Sequence, residues 1–422
     1  MQALLRRVKR AQHRQVLCIS AAAYLFLHFS LGGGFSIIAF NFSCLVADRA
    51  RLRPRAINPL QALPGDGAVE GDDLDELYLE EEELEDWVDP EWVEANYGDL
   101  SAHETMLRDR VRTEAFREGI FQTCQNKTVL EVGCGTGILS LFAAQAGAVR
   151  VVAVEASPDM AGLASEVIRS NGFSDIISIV PGRIEDVVAE VDEALEGAKV
   201  DVLISEWMGT MLFREGMFPS VAFARDVWLQ PEGLILPSSC ILHMAPMNYG
   251  SWWSTNPYGF DFSCLSEHFQ GGLEEEYFRN AGYAWTAELE PVDTILAEPL
   301  DIYKLDCALA QRTEPHNQRF RFSFPLLKDL PISGFAVWFT CDVAPGITFT
   351  SEGTHWQRLF LMLKKKLREL PVASRACLTG TIRWTVKSGD MSVSMEDVYL
   401  VQQGSPESGI STALGSFSWQ VD

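Results

Sequence analysis

Three glycines standing between a strand-forming run and a helix-forming run mark the first place in this chain where chemistry could occur. In VLEVGCGTGI, Gly133, Gly135 and Gly137 follow an apolar run and precede ILSLFAAQA. Glycines in such a turn let the backbone approach a ligand closely. A dinucleotide fold would carry its third glycine one residue later, where Ile138 stands, so the spacing departs from GxGxxG and speaks against NAD. Glu155 closes the next run, RVVAVE, about 20 residues on, where a carboxylate can accept hydrogen bonds from both ribose hydroxyls. Turn and acid together predict an adenosyl cofactor. Cys134, inside the turn, reads as a small buried thiol.

Such residues need a scaffold whose strands all end on one side. From about Tyr97 to Pro237, apolar runs alternate with helical periods: KTVLEV, ILSLFAAQA, RVVAVE, a helix near Asp159 to Ser170, IISIV and VDVLISEW. Strands that read as continuous apolar runs belong to a parallel sheet covered by helices on both faces. Beyond Pro237 the stretches CILHMAP, FRFSFPL, GFAVWFTCDV and TGTIRWTV are β-prone and separated by turn residues. They predict a second, mostly antiparallel β unit. The expected organisation is therefore α/β: a cofactor domain over residues 95–237, then a β domain over 238–422.

Composition bounds the rest. A chain of 422 residues with 47% apolar content can bury two cores but not one oversized one. Its net charge of −24 argues against phosphate-backbone binding, hence against direct contact with nucleic acid, and favours a cationic partner. Nine cysteines without a CxxC pair or a His/Cys cluster argue against a zinc site and a disulfide framework, and suit a reducing compartment. Residues 1–50 combine Arg6, Arg7, Lys9, Arg10 and Arg14 with a largely apolar stretch from Val16 to Ala47. This targeting pattern leaves three readings open, a signal anchor, a transit peptide or a mis-called start, and any membrane contact would run through it alone. Residues 51–94 carry the acidic run Glu80 to Glu83 and read as a solvated linker, or as an arm that recruits basic substrates.

VLEVGCGTGI followed by VEAS resembles the first two motifs of class I methyltransferases. SEWMGTMLFREGM together with THW resembles protein arginine methyltransferases, and the resemblance runs from about Tyr97 to Tyr399. It implies a Rossmann-like class I methyltransferase domain, an antiparallel β-barrel with a dimerisation arm near residues 247–285, and S-adenosylmethionine as cofactor. In HETMLRDRVRT it implies His103 toward the ribose, Met106 beside the methyl group and Arg112 toward the methionine carboxylate. In GRIEDV it implies Ile184 against the adenine and Glu185 on its amino group.

The same resemblance makes Glu206 and Glu215 a clamp for the acceptor. Methyl transfer needs an electron pair on nitrogen, whereas a guanidinium is cationic and delocalised. Two carboxylates can bind it through charge-assisted hydrogen bonds and aim one terminal nitrogen at the methyl group. His355 in THW and Asp109 match a proton-relaying pair, and Trp356 would wall the acceptor channel. Met106 and Met217 match the methyl-pocket residues of enzymes that form asymmetric dimethylarginine, the type I class. The implied partners are arginine-containing proteins, including histones and Gly/Arg-rich RNA-binding proteins, and a second copy of the chain. The implied location is nucleus or cytoplasm, with a membrane-anchored or organellar alternative carried by residues 1–47.

The chain departs from the family pattern in two places. Adjacent aromatics expected before the HE motif are replaced by Val93 and Glu94, with Trp92 one position early, although Tyr97 keeps the later aromatic at the substrate side. Thr210 stands where the family has tyrosine after SEWMG. These departures raise an alternative, a weakly active or inactive cofactor-binding scaffold. SWWSTNPYGFDFSCL resembles the arm of the family's head-to-tail dimers, where Trp252 and Trp253 would suit an interface core.

Overall fold

The computed structural model of the chain describes residues 97–98, 100–249, 257–265, 284–287, 294–363, 376–387, 390–402 and 411–421. The targeting segment, the acidic linker, Trp92, Val93, Glu94, Trp252, Trp253 and most of the expected arm lie outside the described residues.

Two helices open the described chain, α1 (Leu100–Arg108) and α2 (Arg110–Thr123). They are separated at Asp109, whose Oδ1 accepts the Arg112 N–H at 3.2 Å and so caps α2. The expected alternation follows: β1 (Thr128–Val132), α3 (Ile138–Gln145), β2 (Arg150–Glu155), α4 (Pro158–Ser170), β3 (Ile177–Pro181), α5 (Val188–Ala194), β4 (Val200–Ile204), α6 (Phe218–Trp228) and β5 (Leu229–Leu236). The five strands form one parallel sheet in the order β3-β2-β1-β4-β5. Val129, Leu130, Val151, Val152, Val202 and Leu203 are fully buried, as strands covered on both faces must be. The strand order reverses between β1 and β4, and a crevice at the carboxyl ends of those strands is where such folds bind ligands. The glycine turn, Glu155 and Glu206 all lie at those carboxyl ends.

From Ser239 on, the described elements are β6 (Ser239–Asn248), β7 (Ala284–Ala287), β8 (Thr294–Ile295), β9 (Leu300–Asp306), β10 (Asn317–Pro325), β11 (Gly334–Ala344), β12 (Ile347–Thr350), β13 (Arg358–Met362), β14 (Ala376–Lys387), β15 (Asp390–Gln402) and β16 (Ser411–Val421). They pair as two antiparallel sheets, β10-β14-β15-β16 and β7-β13-β11-β6-β8, with β12 on β11 and β9 on β6. β9 also contacts β10 and β7 contacts β16, so the two sheets meet along both of their edges, as closure into a barrel requires.

One aromatic series joins this second unit to the loop that follows β4. Trp207 stacks on Phe213 with ring centroids 6.1 Å apart, Phe213 stacks on Trp384 at 6.4 Å, and Trp384 meets Tyr303 edge-on at 5.7 Å. Trp384 is buried and its indole N–H donates to the Pro315 carbonyl at 3.1 Å. Trp384→Ala is expected to cost about 3–5 kcal/mol of unfolding free energy in urea titration. Trp384→Phe, which keeps most of the ring area but loses the hydrogen bond, should cost markedly less.

Candidate functional site

At the end of β1 the backbone turns through Gly133, Cys134 and Gly135. Gly135 has φ of +52° and donates its N–H to Glu155 Oε2 at 2.7 Å. A Cβ there would stand 3.1 Å from the His103 ring, so the left-handed backbone and the ring lying against the turn both call for glycine. Glu155 Oε1 accepts a second backbone N–H, from Ser157, at 3.0 Å. Two backbone donors thus fix this carboxylate at the end of β2 and leave lone pairs for a ligand. Gly137 behaves differently from the expectation that it touches the cofactor. With φ of +80° it is the N-cap of α3, its α-carbon faces Ile168 and Ala164, and it does not line the cavity.

A cavity of about 500 Å³ opens beside this turn, inside the size range of small-molecule sites. His103 and Met106 of α1, Arg112 of α2, the turn residues Gly133, Cys134 and Gly135, and Glu155 line it. Ile184 and Glu185, which follow β3, and Glu206, Glu215 and Met217, which follow β4, line it as well. Tyr97, His355 and Trp356 complete the expected set. The Cys134 thiol is buried, and burial pushes its pKa well up, which suits packing and not reactivity.

Two of these carboxylates have a buried oxygen with no hydrogen-bond donor, Glu185 Oε2 and Glu206 Oε1. Buried acceptors are normally satisfied, so both oxygens fit a site completed by a ligand's donors. The nearest cation to Glu185 is Arg183, whose Nε lies 4.0 Å away. The glycine turn, the fixed Glu155 and the unmet acceptor on Glu185 fit an adenosyl group.

Glu206 follows β4 directly. Its Oε2 accepts the Arg112 Nη1 at 2.5 Å, and Arg112 Nη2 donates to the Met106 carbonyl at 2.7 Å. The resemblance implied that Arg112 faces the cofactor's carboxylate; in the structure its guanidinium bridges α1 and Glu206. Glu215 is half-buried in the cavity wall. Burial, then the negative charge of Glu206, push its pKa up to about 8, against the opposing hydrogen bond from Tyr97 and the charges of Arg214 and Arg112. Carboxyl groups sharing one pocket resist joint ionisation, and the upward shift falls on Glu215.

Asp109 does not line the cavity but holds a residue that does. Its Oδ2 accepts the His355 backbone N–H at 3.0 Å and His355 Nδ1 at 2.7 Å. Burial pushes the Asp109 carboxyl up, and the hydrogen bonds from His355 and Arg112 outweigh it, so its pKa is lowered. Trp356 is buried between Phe339, at 5.2 Å, and Phe349, at 6.2 Å, while its ring centroid lies 4.2 Å from His355. It therefore packs the core and walls the cavity at once.

Other wall residues lay in quoted motifs without being singled out. Glu131 sits in VLEVG; it is fully buried, takes a hydrogen bond from the Ser140 hydroxyl, and burial pushes its pKa to about 8. Arg214 sits in the loop of the paired glutamates, and Thr286 comes from β7, where nothing in the sequence pointed to a site.

Comparison with known proteins decides the family. The chain is 36% identical over 304 residues to protein arginine N-methyltransferase 6 of Xenopus tropicalis, a match covering 68% of this chain and 84% of that protein. It belongs to the protein arginine N-methyltransferase family. A methyltransferase-domain family model matches residues 129–225. A probable protein arginine N-methyltransferase 6 of Arabidopsis thaliana is 42% identical over 256 residues, covering 58% of this chain. There the chain spans little more than half of the relative, 55% of its length. The Trypanosoma brucei PRMT1 enzyme-prozyme heterotetrameric complex, solved with AdoHcy, superposes with a TM-score of 0.58 at 25% identity. That match covers 77% of this chain and 99% of that one. Both the parallel sheet and the antiparallel unit thus belong to the methyltransferase fold of this family.

Glu131 and Glu215 have folded-state pKa values raised above those of an unfolded chain. Their stability contribution is complete below the ordinary carboxylate pKa and is lost as pH rises through about 8. The unfolding midpoint of this chain should therefore fall between pH 5 and 8.5. Glu215→Gln should flatten part of that fall in thermal melts across a pH series; an unchanged slope would mean that Glu215 is ionised throughout.

Proposed function

We propose that this chain transfers methyl groups from S-adenosylmethionine to guanidino nitrogens of arginine residues in other proteins. The observation that carries the reading is the pair of half-buried carboxyl groups on one cavity wall, Glu206 with an unmet acceptor and Glu215 beside it, next to a glycine turn backed by Glu155. The AdoHcy held by the trypanosome relative supports the choice of cofactor. When bound, S-adenosylmethionine supplies an electrophilic methyl carbon on a positively charged sulfur. Glu155 would take the ribose hydroxyls, Ile184 and Glu185 would take the adenine, and His103, Met106 and the turn residues Gly133, Cys134 and Gly135 would enclose the remainder. Arg112 stands where it can meet the cofactor's carboxylate while its other edge stays on Glu206.

The acceptor guanidinium is a planar cation with donors along its edges. Glu206 Oε1 accepts one of them. Glu215 gives its proton to solvent as the cation arrives, because the incoming charge offsets the repulsion from Glu206, and the carboxylate accepts another of the donors. The Tyr97 hydroxyl, hydrogen-bonded to Glu215, fixes that carboxylate's orientation. Preorganised acceptors of this kind lower the barrier without reorganisation during reaction. No base need act first: the excess proton leaves the nitrogen after methylation. With Nδ1 of His355 donating to Asp109, its Nε2 is left to accept that proton.

Met106 and Met217 favour the asymmetric type I product, since both line the cavity with slender thioether chains that leave room for a second methyl group. Gly/Arg-rich proteins and histones suit the chain's acidity as substrates. A homodimer formed through the arm near residues 247–285 is the proposed assembly, and nucleus or cytoplasm the proposed location, with an anchor or transit role left to residues 1–47.

Purified chain should transfer label from radiolabelled S-adenosylmethionine to arginine peptides; cofactor binding without transfer to any arginine peptide would select a scaffold instead. Glu206→Gln should lower kcat by at least 100-fold while cofactor affinity in calorimetry changes little. Glu155→Ala should do the reverse, weakening the cofactor first. Because Glu215 must lose its proton, kcat/KM should rise with pH up to about 8 and then level off. A profile flat from pH 6.5 to 9 would remove Glu215 from the clamp.

A further inference from the structure

Arg214 immediately precedes the glutamate that would bind the acceptor, and its side chain lines the same cavity. Its Nε donates to the Val421 carbonyl at 3.0 Å, which anchors the base of the guanidinium to the end of β16. The other two cavity-lining guanidinium groups are neutralised locally: Arg112 by Glu206, and Arg183 by Glu185 at 4.0 Å. Among the described residues, Arg214 alone of the three has no ion pair and no hydrogen bond to its terminal nitrogens. Its charge is felt in the pocket all the same, since it lowers the pKa of both Glu215 and Tyr97. Among the described residues this half-exposed cation, in a protein of net charge −24, has no partner at the outer end of its guanidinium, on the wall of the cavity that would take the acceptor.

We propose that Arg214 is a specificity residue that receives an acidic side chain of the substrate, so that this site prefers target arginines with Asp or Glu nearby over those flanked by further cations. An extended chain advances about 3.3–3.6 Å per residue, so a carboxylate within two or three positions of the target arginine is in range of the residue next to Glu215. A guanidinium offers a planar fork to that carboxylate, and a lysine or arginine at the same position would meet like charge. The overall acidity of the protein still draws basic chains in; Arg214 sorts among them once they arrive. The inference rests on the methyl-transfer reading above.

The test uses peptides amidated at the C-terminus, so that no terminal carboxylate takes part. Each carries one arginine among glycines, with Glu, Gln or Lys two residues before or after it. At fixed ionic strength the best Glu peptide should exceed its Gln counterpart about fivefold in kcat/KM, the ratio a half-exposed ion pair supports. Arg214→Gln should bring that ratio to one, and Arg214→Glu should invert the preference toward the Lys peptide. A role confined to anchoring β16 or to tuning Glu215 would change all peptides alike and leave the ratios untouched. That result, or a wild-type ratio of one, overturns the proposal while the methyl-transfer reading stands. Absence of transfer to every peptide by a cofactor-bound protein overturns both.

Discussion

Two carboxyl side chains must be kept in one cavity, and most of the site can be understood as the means of tolerating that. Like charges in a low-dielectric pocket repel strongly, so the pair persists only if one is matched by a cation and the other can hold a proton. Arg112 matches Glu206, and Glu215 holds the proton. Arg112 is in turn held by the Met106 carbonyl and by its place in the first turn of α2, which Asp109 caps. The break between α1 and α2 at Asp109 therefore sets the direction of a guanidinium, and through it the free oxygen of Glu206. A buried ion pair adds little net stability, but removing one partner leaves a charge that nothing compensates.

Asp109 also shows how the two sheet systems are held in register at the cavity. One carboxylate receives an N–H from α2 and two donors from His355, in the loop between β12 and β13. On the other wall, Phe213 and Trp384 stack at 6.4 Å and Arg214 reaches the end of β16. The loop after β4 thus takes its shape from the antiparallel unit as much as from the strand it leaves.

Much of this was legible in the sequence, for identifiable reasons. The parallel strands announced themselves as unbroken apolar runs because both of their faces are buried, and the glycine turn with Glu155 because a strand, a tight turn and an acid leave few alternatives. What escaped was set by tertiary context. β5 runs through Gln230, Pro231, Glu232 and Gly233, which lack the apolar run that marks the other parallel strands, and a register shift against β4 accommodates them. Arg112 was placed against a cofactor because its motif says so, whereas its ion pair with Glu206 spans 94 residues of sequence and has no local signature. Arg214 and Glu131 stood inside quoted motifs but look like ordinary charged residues until burial and the partners of their neighbours are known. Gly137 was legible as a glycine that the chain requires, though not as one required by the start of a helix instead of by a ligand.

The return of β16 to the loop near residue 214 has a consequence for how the molecule is made. A ribosome delivers the parallel sheet, with its glycine turn and Glu155, long before Trp384 and Val421 leave the exit tunnel. A nascent chain could thus possess a nucleotide-shaped crevice while the wall around Glu215 is still unsupported. Contacts separated by some 207 residues close last and slowest. The wall around Glu215 would then be complete only once β16 has been made and docked.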